Sequence, residues 1–296
     1  ISETTDSGIK VSTGFDLAEE NGGLDASGLT LTFTDGSKLD LIEAGAASGS
    51  HAVGVPGAGG EQGISASTTS SAPTSITMGT SSDNVGFEYH TAADAFGIEG
   101  FKASISASFN GDVDAVSDAS TATLENSYSV GVTYVDTAGD STVTIGAGIN
   151  SADYNSTVAT KDTSVYQIGI TAVTGDLTVG AGYASGDIIR GGDTGGSGRA
   201  ATQNDAEYTK VGVKYVSGDI TFNVGIGDGE STDEALGTAN AGLSDTRTTT
   251  GASVGYSIAS GVSATLGYTT VDSDDEGLND TAHSGTSWYV GALVSF

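Results

Sequence analysis

The chain has 296 residues, of which 46 are glycine and none is cysteine, and its formal net charge is −29. This acidic balance excludes the basic patch that nucleic-acid binding needs, and the lack of cysteine excludes disulfide scaffolds and thiolate metal sites. No apolar run approaches the ~20 residues of a membrane helix, so a membrane-spanning chain of this sequence must form a closed β-barrel.

Apolar and small polar side chains alternate strictly through the chain, which argues against disorder. Segments of about ten residues with this alternation are typical of transmembrane β-strands, whose two faces meet lipid and water. We predict an all-β, antiparallel transmembrane barrel with about fourteen visible strands. Their apolar positions are, in chain order, Ile9/Val11/Phe15/Leu17, Leu29/Leu31/Phe33, Leu39/Leu41, Val85/Phe87/Tyr89, Phe101/Ala103/Ile105/Phe109, Tyr128/Val130/Val132/Tyr134, Val143/Ile145/Ala147/Ile149, Tyr166/Ile168/Ile170, Leu177/Val179/Ala181/Tyr183, Val211/Val213/Tyr215, Ile220/Phe222/Val224/Ile226, Ala252/Val254/Tyr256/Ile258, Val262/Ala264/Leu266/Tyr268 and the final segment Trp288–Phe296.

The connections between these strands are alternately short and long. Tight turns such as Thr174-Gly175-Asp176 and Ser217-Gly218-Asp219 have hairpin composition. The opposite connections are long and acidic, near residues 18–28, 44–83, 110–126, 151–162, 185–205, 228–246 and 273–284. This asymmetry predicts short periplasmic turns and long extracellular loops.

One long connection differs from the others. Residues 44–83 contain both prolines, Pro56 and Pro73, in a run of Gly, Ala, Ser and Thr with few charges. Because proline is excluded from central strands, the run is a non-strand insertion, and its weak polarity suits folding into the barrel. We therefore expect one barrel domain, 1–296, with 44–83 as an inward-folded constriction loop.

Several charged residues fall on the strand face opposite the apolar one. The candidate pore-lining residues are Lys10, Asp16, Asp40, Glu43, Glu61, Asp83, Glu88, Lys102, Lys210, Lys214 and Arg247. Loop acids facing wall lysines would set up a transverse field at the narrowest level of a pore. The alternative is that the lysines only pair with neighbouring acids and keep the lumen neutral.

Aromatic side chains lie at the ends of the predicted strands. The residues concerned are Tyr134, Tyr215 and Tyr256 before short turns, Phe109, Tyr183 and Tyr268 near long loops, and the terminal Phe296. This placement favours two aromatic girdles at the membrane interfaces over the core of a soluble sandwich.

The long loops hold most of the acidic residues. The run Asp272, Asp274, Asp275 and Glu276 resembles the start of an EF-hand loop, but His283 stands where the loop needs a glutamate. Looser Ca²⁺ binding at these acids is one interpretation, and an acidic solvated rim is the other. No other cofactor is predicted.

The sequence does not favour an enzyme. His51, His90 and His283 are far apart along the chain, and no serine elbow, metal pair or phosphate loop accompanies them.

In the order of its elements, the whole chain resembles the sixteen-stranded, trimeric general diffusion porins of alphaproteobacteria. The matching features are Asp6–Phe15 as a third strand, the hairpin across Asp35-Gly36, the long loop after Leu41-Ile42-Glu43, and the terminal Phe296. The family has a hairpin before the strand at 8–17, and here only Ile1-Ser2-Glu3 remains of it. The two strands of that hairpin, added to the fourteen visible ones, make the expected total of sixteen. We therefore expect the numbered sequence to lack the hairpin and any signal peptide, and the alternative is a fourteen-stranded barrel.

The resemblance implies a water-filled outer-membrane pore for small hydrophilic solutes, and the acidity suggests weak cation preference. Expected partners are outer-membrane lipid, lipopolysaccharide and two further copies in a homotrimer. Two alternatives stay open: a secreted or surface-layer β-sandwich of the adhesin type, and a substrate-specific uptake barrel. A specific barrel would need inward aromatics, of which Tyr208 and Tyr289 are the clear candidates.

Overall fold

The computed structural model describes residues 1–15, 26–41, 46–57, 85–109, 123–155, 163–190, 202–233, 244–274 and 283–294. The strands are β1 (Ser2–Thr4), β2 (Lys10–Phe15), β3 (Ala26–Thr32), β4 (Lys38–Leu41), β5 (Val85–His90), β6 (Phe101–Phe109), β7 (Thr123–Ala138), β8 (Ser141–Asn155), β9 (Thr163–Thr174), β10 (Leu177–Arg190), β11 (Thr202–Ser217), β12 (Ile220–Asp233), β13 (Ser244–Ala259), β14 (Val262–Asp274) and β15 (His283–Val294). Short 3-10 turns cover Gly49–His51 and Ala95–Gly97. Among these residues, no helix has the length and apolar character needed to cross a membrane.

All strands belong to one antiparallel sheet in which each strand pairs with the next along the chain. Across the described residues the sheet has fifteen strands, because Ser2–Thr4 pairs with Lys10–Ser12 and adds a strand to those visible from periodicity. β1 and β15 are its edges, and no pairing between them occurs within the described ranges. The all-β antiparallel prediction is confirmed, and the sixteenth strand stays a prediction.

The two faces of the sheet differ in the way the sequence predicts. On the outer face, large apolar side chains are exposed, with Ile168 and Val224 each at 53%. On the inner face, small polar side chains are buried, as Ser129 and Asn223 are at 2%. Successive side chains of a strand point to opposite faces, so each strand adds apolar side chains to the outer face and small polar side chains to the inner face. A soluble sandwich would bury the apolar face, whereas a membrane barrel presents it to lipid.

The short turns have the chemistry that tight hairpins require. Gly175 and Gly218 take the first turn positions with φ of 56° and 58°, as in type II′ turns. In the turn after β3, Asp35 Oδ1 accepts hydrogen bonds from the Ser37 backbone N, at 2.9 Å, and from Ser37 Oγ, at 2.7 Å. These bonds stabilise the carboxylate and lower the pKa of Asp35 below its usual value.

Candidate functional site

Residues 46–57, the inner segment, run along the inner face of the sheet. Ala47 and Ser48 are fully buried, and His51 is 6% exposed. The inner segment begins against β6–β8 and ends where Pro56 and Gly57 meet β11 and β12. It therefore occupies space on the side of the sheet that carries the polar side chains.

A row of inner-face glycines, the glycine track, lets the inner segment approach the wall of the sheet. Its members are Gly131, Gly146, Gly148, Gly169, Gly180, Gly182, Gly212 and Gly225. A Cβ added at Gly148 would lie 2.6 Å from Ser48 Cβ, and one added at Gly169 would lie 2.9 Å from Val53 Cβ. At Gly146 and Gly212 an added Cβ would overlap the carbonyl oxygens of His51 and Pro56. Only residues without a Cβ leave room for this path.

Hydrogen bonds hold the first residues of the inner segment to the wall. The Ala47 N–H donates to Ser106 Oγ at 2.9 Å, and the Ser48 N–H donates to Ser129 Oγ at 2.8 Å. Gln167 Nε2 donates to the Ser48 carbonyl oxygen at 2.7 Å. Bonds to backbone groups satisfy polar atoms that burial would otherwise leave unpaired, so they specify one position for the segment.

His51 adds a side-chain anchor. Its Nδ1 lies 2.7 Å from Thr133 Oγ1, and its Nε2 lies 2.7 Å from Ser104 Oγ. The same Ser104 hydroxyl lies 2.8 Å from His90 Nδ1. The imidazole thus bridges β6 and β7 and connects the inner segment to the charged residues of β4 and β5.

We expect His51→Ala to lower the free energy of unfolding by about 2 kcal/mol, because two buried hydrogen bonds are lost. Urea unfolding of the detergent-folded protein, followed by tryptophan fluorescence, measures this change. Thr137→Ala is the control, since its hydroxyl pairs with Thr142 at 3.2 Å on the exposed surface. Equal losses in both variants would contradict an anchoring role for His51.

A cluster of mixed charge stands where the inner segment begins. Lys38 Nζ and His90 Nε2 lie 3.6 Å and 3.4 Å from Asp40 Oδ2. His90 Nε2 is also 3.5 Å from Glu88 Oε1, to which Ser50 Oγ donates at 3.1 Å. The Glu88 side chain is therefore held between β5 and the inner segment.

Basic side chains stand elsewhere on the inner face. Lys210 and Lys214 face inward from β11, Lys102 faces inward from β6, and Arg247 faces inward from β13 at 9% exposure. Lys210 lies beside the end of the inner segment, since a Cβ added at Gly57 would be 3.3 Å from Lys210 Cε. The acids of β4–β5 and these bases thus lie on separate strands of one face.

The remaining candidates are distributed as follows. Lys10 faces inward in register with Thr32 and Lys38, apart from the inner segment. Asp16, Glu43, Glu61, Asp83, Asp275, Glu276 and Phe296 lie outside the described residues. The pore-lining role of the whole set stays a prediction.

The aromatic candidates in the described ranges lie on the outer face. Tyr134, Tyr215, Tyr256 and Phe109 are exposed there, at 39%, 46%, 49% and 43%. Tyr183 Oη donates to Glu207 Oε2 at 3.0 Å, and the Tyr268 ring centroid is 4.7 Å from that of Trp288. Tyr183 and Tyr268 lie in the middle of β10 and β14, seven residues before Arg190 and six before Asp274, and not at the strand ends where the sequence placed them. The membrane girdles stay a prediction.

The acidic residues Asp272 and Asp274 end β14 and are exposed on the outer face. Within the described ranges, no three His, Asp or Glu side chains come together as a group that could hold a metal ion. Calcium binding by the acidic loops stays a prediction.

Sequence reasoning missed the role of the glycine track and of His51. It assigned Gly146 and Gly148 to the inner face only as small residues. The available signal was the recurrence of glycine at inward positions of successive strands, beside one loop with little charge. Which loop residues meet which glycines depends on contacts distant in sequence.

The comparisons with known proteins agree with this architecture. A family model described as Gram-negative porin matches residues 1–276. A porin structure refined at 1.8 Å resolution superposes with a TM-score of 0.58 at 21% identity, covering 98% of this chain and 90% of that one. No curated protein matches the chain significantly.

Two further outer-membrane structures have similar folds. The channel DcaP of Acinetobacter baumannii gives a TM-score of 0.57 at 13% identity, with coverage of 99% and 82%. The trimer form of OmpT from Vibrio cholerae gives 0.51 at 16% identity, with coverage of 99% and 88%. At these identities the likeness shows the fold, and the family model shows the family. The chain therefore belongs to the Gram-negative porin family and is a β-barrel channel protein of the cell outer membrane.

Proposed function

We propose that this porin is a general diffusion channel through which small hydrophilic solutes and ions pass. The observation that carries the proposal is the inner face, where small polar side chains line the wall and the inner segment runs across them. A polar wall with an inward segment suits a water-filled pore with one narrow level. The exposed apolar outer face and the porin family argue against a soluble sandwich and against an enzyme.

The domain organisation is part of the same proposal. Residues 1–296 form one barrel domain, in which 44–83 is the constriction loop. The contacts of residues 46–57 with the glycine track support it, as does the burial of His51. A homotrimer in contact with lipid and lipopolysaccharide completes the proposed assembly, and the trimer form of the Vibrio cholerae protein supports it.

Cation preference follows from the charge of the protein. The net charge of −29 attracts cations to the mouths of the channel. Asp40 and Glu88 stand at the start of the inner segment, and Lys210 stands at its end. Acids at one end of the inner segment and a base at the other would set up a field across the pore, which orients and sorts solutes.

We expect Glu88→Gln to weaken cation preference, because it removes a negative charge held against the inner segment by Ser50. The reversal potential across a planar bilayer, in a salt gradient, should move towards the chloride equilibrium potential. Glu207→Gln removes the same charge from the outer face, where Glu207 is bonded to Tyr183. An equal shift in the control would assign selectivity to net charge instead of to the pore wall.

Single-channel conductance in a planar bilayer tests the proposed function itself. A general diffusion porin trimer should insert with conductance steps in multiples of three and conduct many small ions with little discrimination. Folded protein that inserts and gives no conductance would contradict an open pore.

A further inference from the structure

The inner face carries a second polar site on β11–β13, towards the long-loop end of these strands. In the register of the sheet, Tyr208 of β11 lies opposite Gly229 of β12, which lies opposite Arg247 of β13. Gly225, where the inner segment ends, is four residues nearer the short turn than Gly229. The site therefore adjoins the inner segment without being covered by residues 46–57.

Glycines on β12 bring the side chains on either side together. Gly227 and Gly229 present no side chain to the inner face, so the wall between β11 and β13 is open. The Tyr208 ring uses this space, since a Cβ added at Gly227 would lie 3.1 Å from Tyr208 Cζ. Its hydroxyl is thereby placed over Gly227 of β12, the strand that separates β11 from the strand of Arg247. Lys210, opposite Gly227, extends the same basic surface towards the inner segment.

Arg247 is buried without a counter-ion among the described residues. It is 9% exposed, and its Nε has no hydrogen-bond partner there. Lys38 and His90 form ion pairs with Asp40 and Glu88 on β4 and β5, whereas Arg247 has no ion pair among the described residues. A guanidinium is charged at every physiological pH, so its burial is costly unless some group supplies negative charge. In a membrane protein, such a charge facing a polar cavity marks a solute or ion path.

We propose that Arg247 and the Tyr208 hydroxyl, with Lys210 beside them, form a binding site for an oxyanion group of a small solute, a carboxylate or a phosphate. The planar guanidinium offers parallel N–H donors that match the oxygens of either group, and the phenol offers a further donor. This inference rests on the proposed channel, to whose inner wall it adds a site for anionic solutes. Because the chain has a net charge of −29, the mouths of the pore repel anionic solutes. The site would bind those anionic solutes that enter.

Inorganic phosphate is the probe, and two readouts keep the site separate from the channel. Calorimetric titration of the folded protein in detergent measures phosphate binding whether or not the protein conducts. Planar-bilayer recordings in chloride measure the reduction of current when phosphate is added. Absent conductance contradicts the proposed function, whereas absent calorimetric binding overturns the oxyanion site.

The variants are Arg247→Gln, Arg247→Lys and Lys214→Gln, each checked for folding by its far-ultraviolet circular dichroism. We expect Arg247→Gln to weaken phosphate binding at least about tenfold, and Arg247→Lys to restore part of it, because charge returns without the planar fork. Lys214→Gln removes an inner-face charge nearer the short turn and should leave binding unchanged. Unchanged affinity in Arg247→Gln, or an equal loss in Lys214→Gln, would overturn the proposal.

Discussion

Replacing Gly212 with valine is expected to push the inner segment away from the wall and to lower single-channel conductance. Any Cβ at Gly212 would overlap the carbonyl oxygen of Pro56, and the wall strand cannot retreat because β10 and β12 hold it by ladder hydrogen bonds. The segment must then move towards the centre of the pore. Overpacking of this kind also costs about 1–3 kcal/mol of stability.

Conductance of the reconstituted channel and urea unfolding measure the two effects of Gly212→Val. Gly255→Val is the matched control, because Gly255 also faces inward from a central strand. A Cβ there meets its nearest neighbour, Thr265 Oγ1, at 3.8 Å, an ordinary contact. If both variants conduct like the parent, the inner segment does not define the narrow level of the pore.

Lysine at two adjacent positions of β8 is expected to destabilise the protein to very different extents. Ile145 is 38% exposed on the outer face, and Thr144 faces inward. Ile145→Lys should destabilise the protein in lipid by about 2 kcal/mol, because the ammonium must leave water for hydrocarbon. Thr144→Lys should cost less than about 0.5 kcal/mol, since the inner face is wet.

Reversible unfolding from lipid vesicles by guanidinium chloride provides the comparison. The quantity to compare is the difference in unfolding free energy between the two variants, because both introduce the same side chain one residue apart. If Ile145→Lys leaves the unfolding free energy unchanged, the outer apolar face does not contact lipid. That result would favour the soluble β-sandwich alternative.

The alternation of side chains made the faces of the sheet predictable from sequence. Lys102, Lys210 and Arg247 were placed on the inner face because each lies an odd number of positions from an outward apolar residue of its strand. The outward residues are Ile105, Val211 and Val254. Side chains alternate between faces in any extended strand, so this placement needs no knowledge of the neighbouring strands. The hairpin turns were equally local, because Gly175 and Gly218 accept positive φ at little cost.

Strand β1 was expected only from the family resemblance, which made Ile1-Ser2-Glu3 the remnant of a hairpin. Periodicity did not predict it, since Ser2–Thr4 has no apolar alternation, and it forms by pairing with β2. The pairing of strands joined by short turns, by contrast, follows from the turns, because a short hairpin forces its two strands to pair. From β6 to β14 every predicted strand is present, but the long-loop ends were predicted too short. β10 continues to Arg190, β12 continues to Asp233 and β13 begins at Ser244, all inside segments predicted as loops.

The sequence by itself determined an antiparallel membrane barrel with a polar inner face, because strand periodicity and turn composition act over a few residues. Only the tertiary structure decided that Ser48 and His51 pack against glycines of β7 and β8. It also decided that Arg247 lies across β12 from Tyr208, with its Nε unpartnered among the described residues. These contacts join residues tens of positions apart in the chain. Their geometry depends on the register of many strands at once, and no local pattern encodes it.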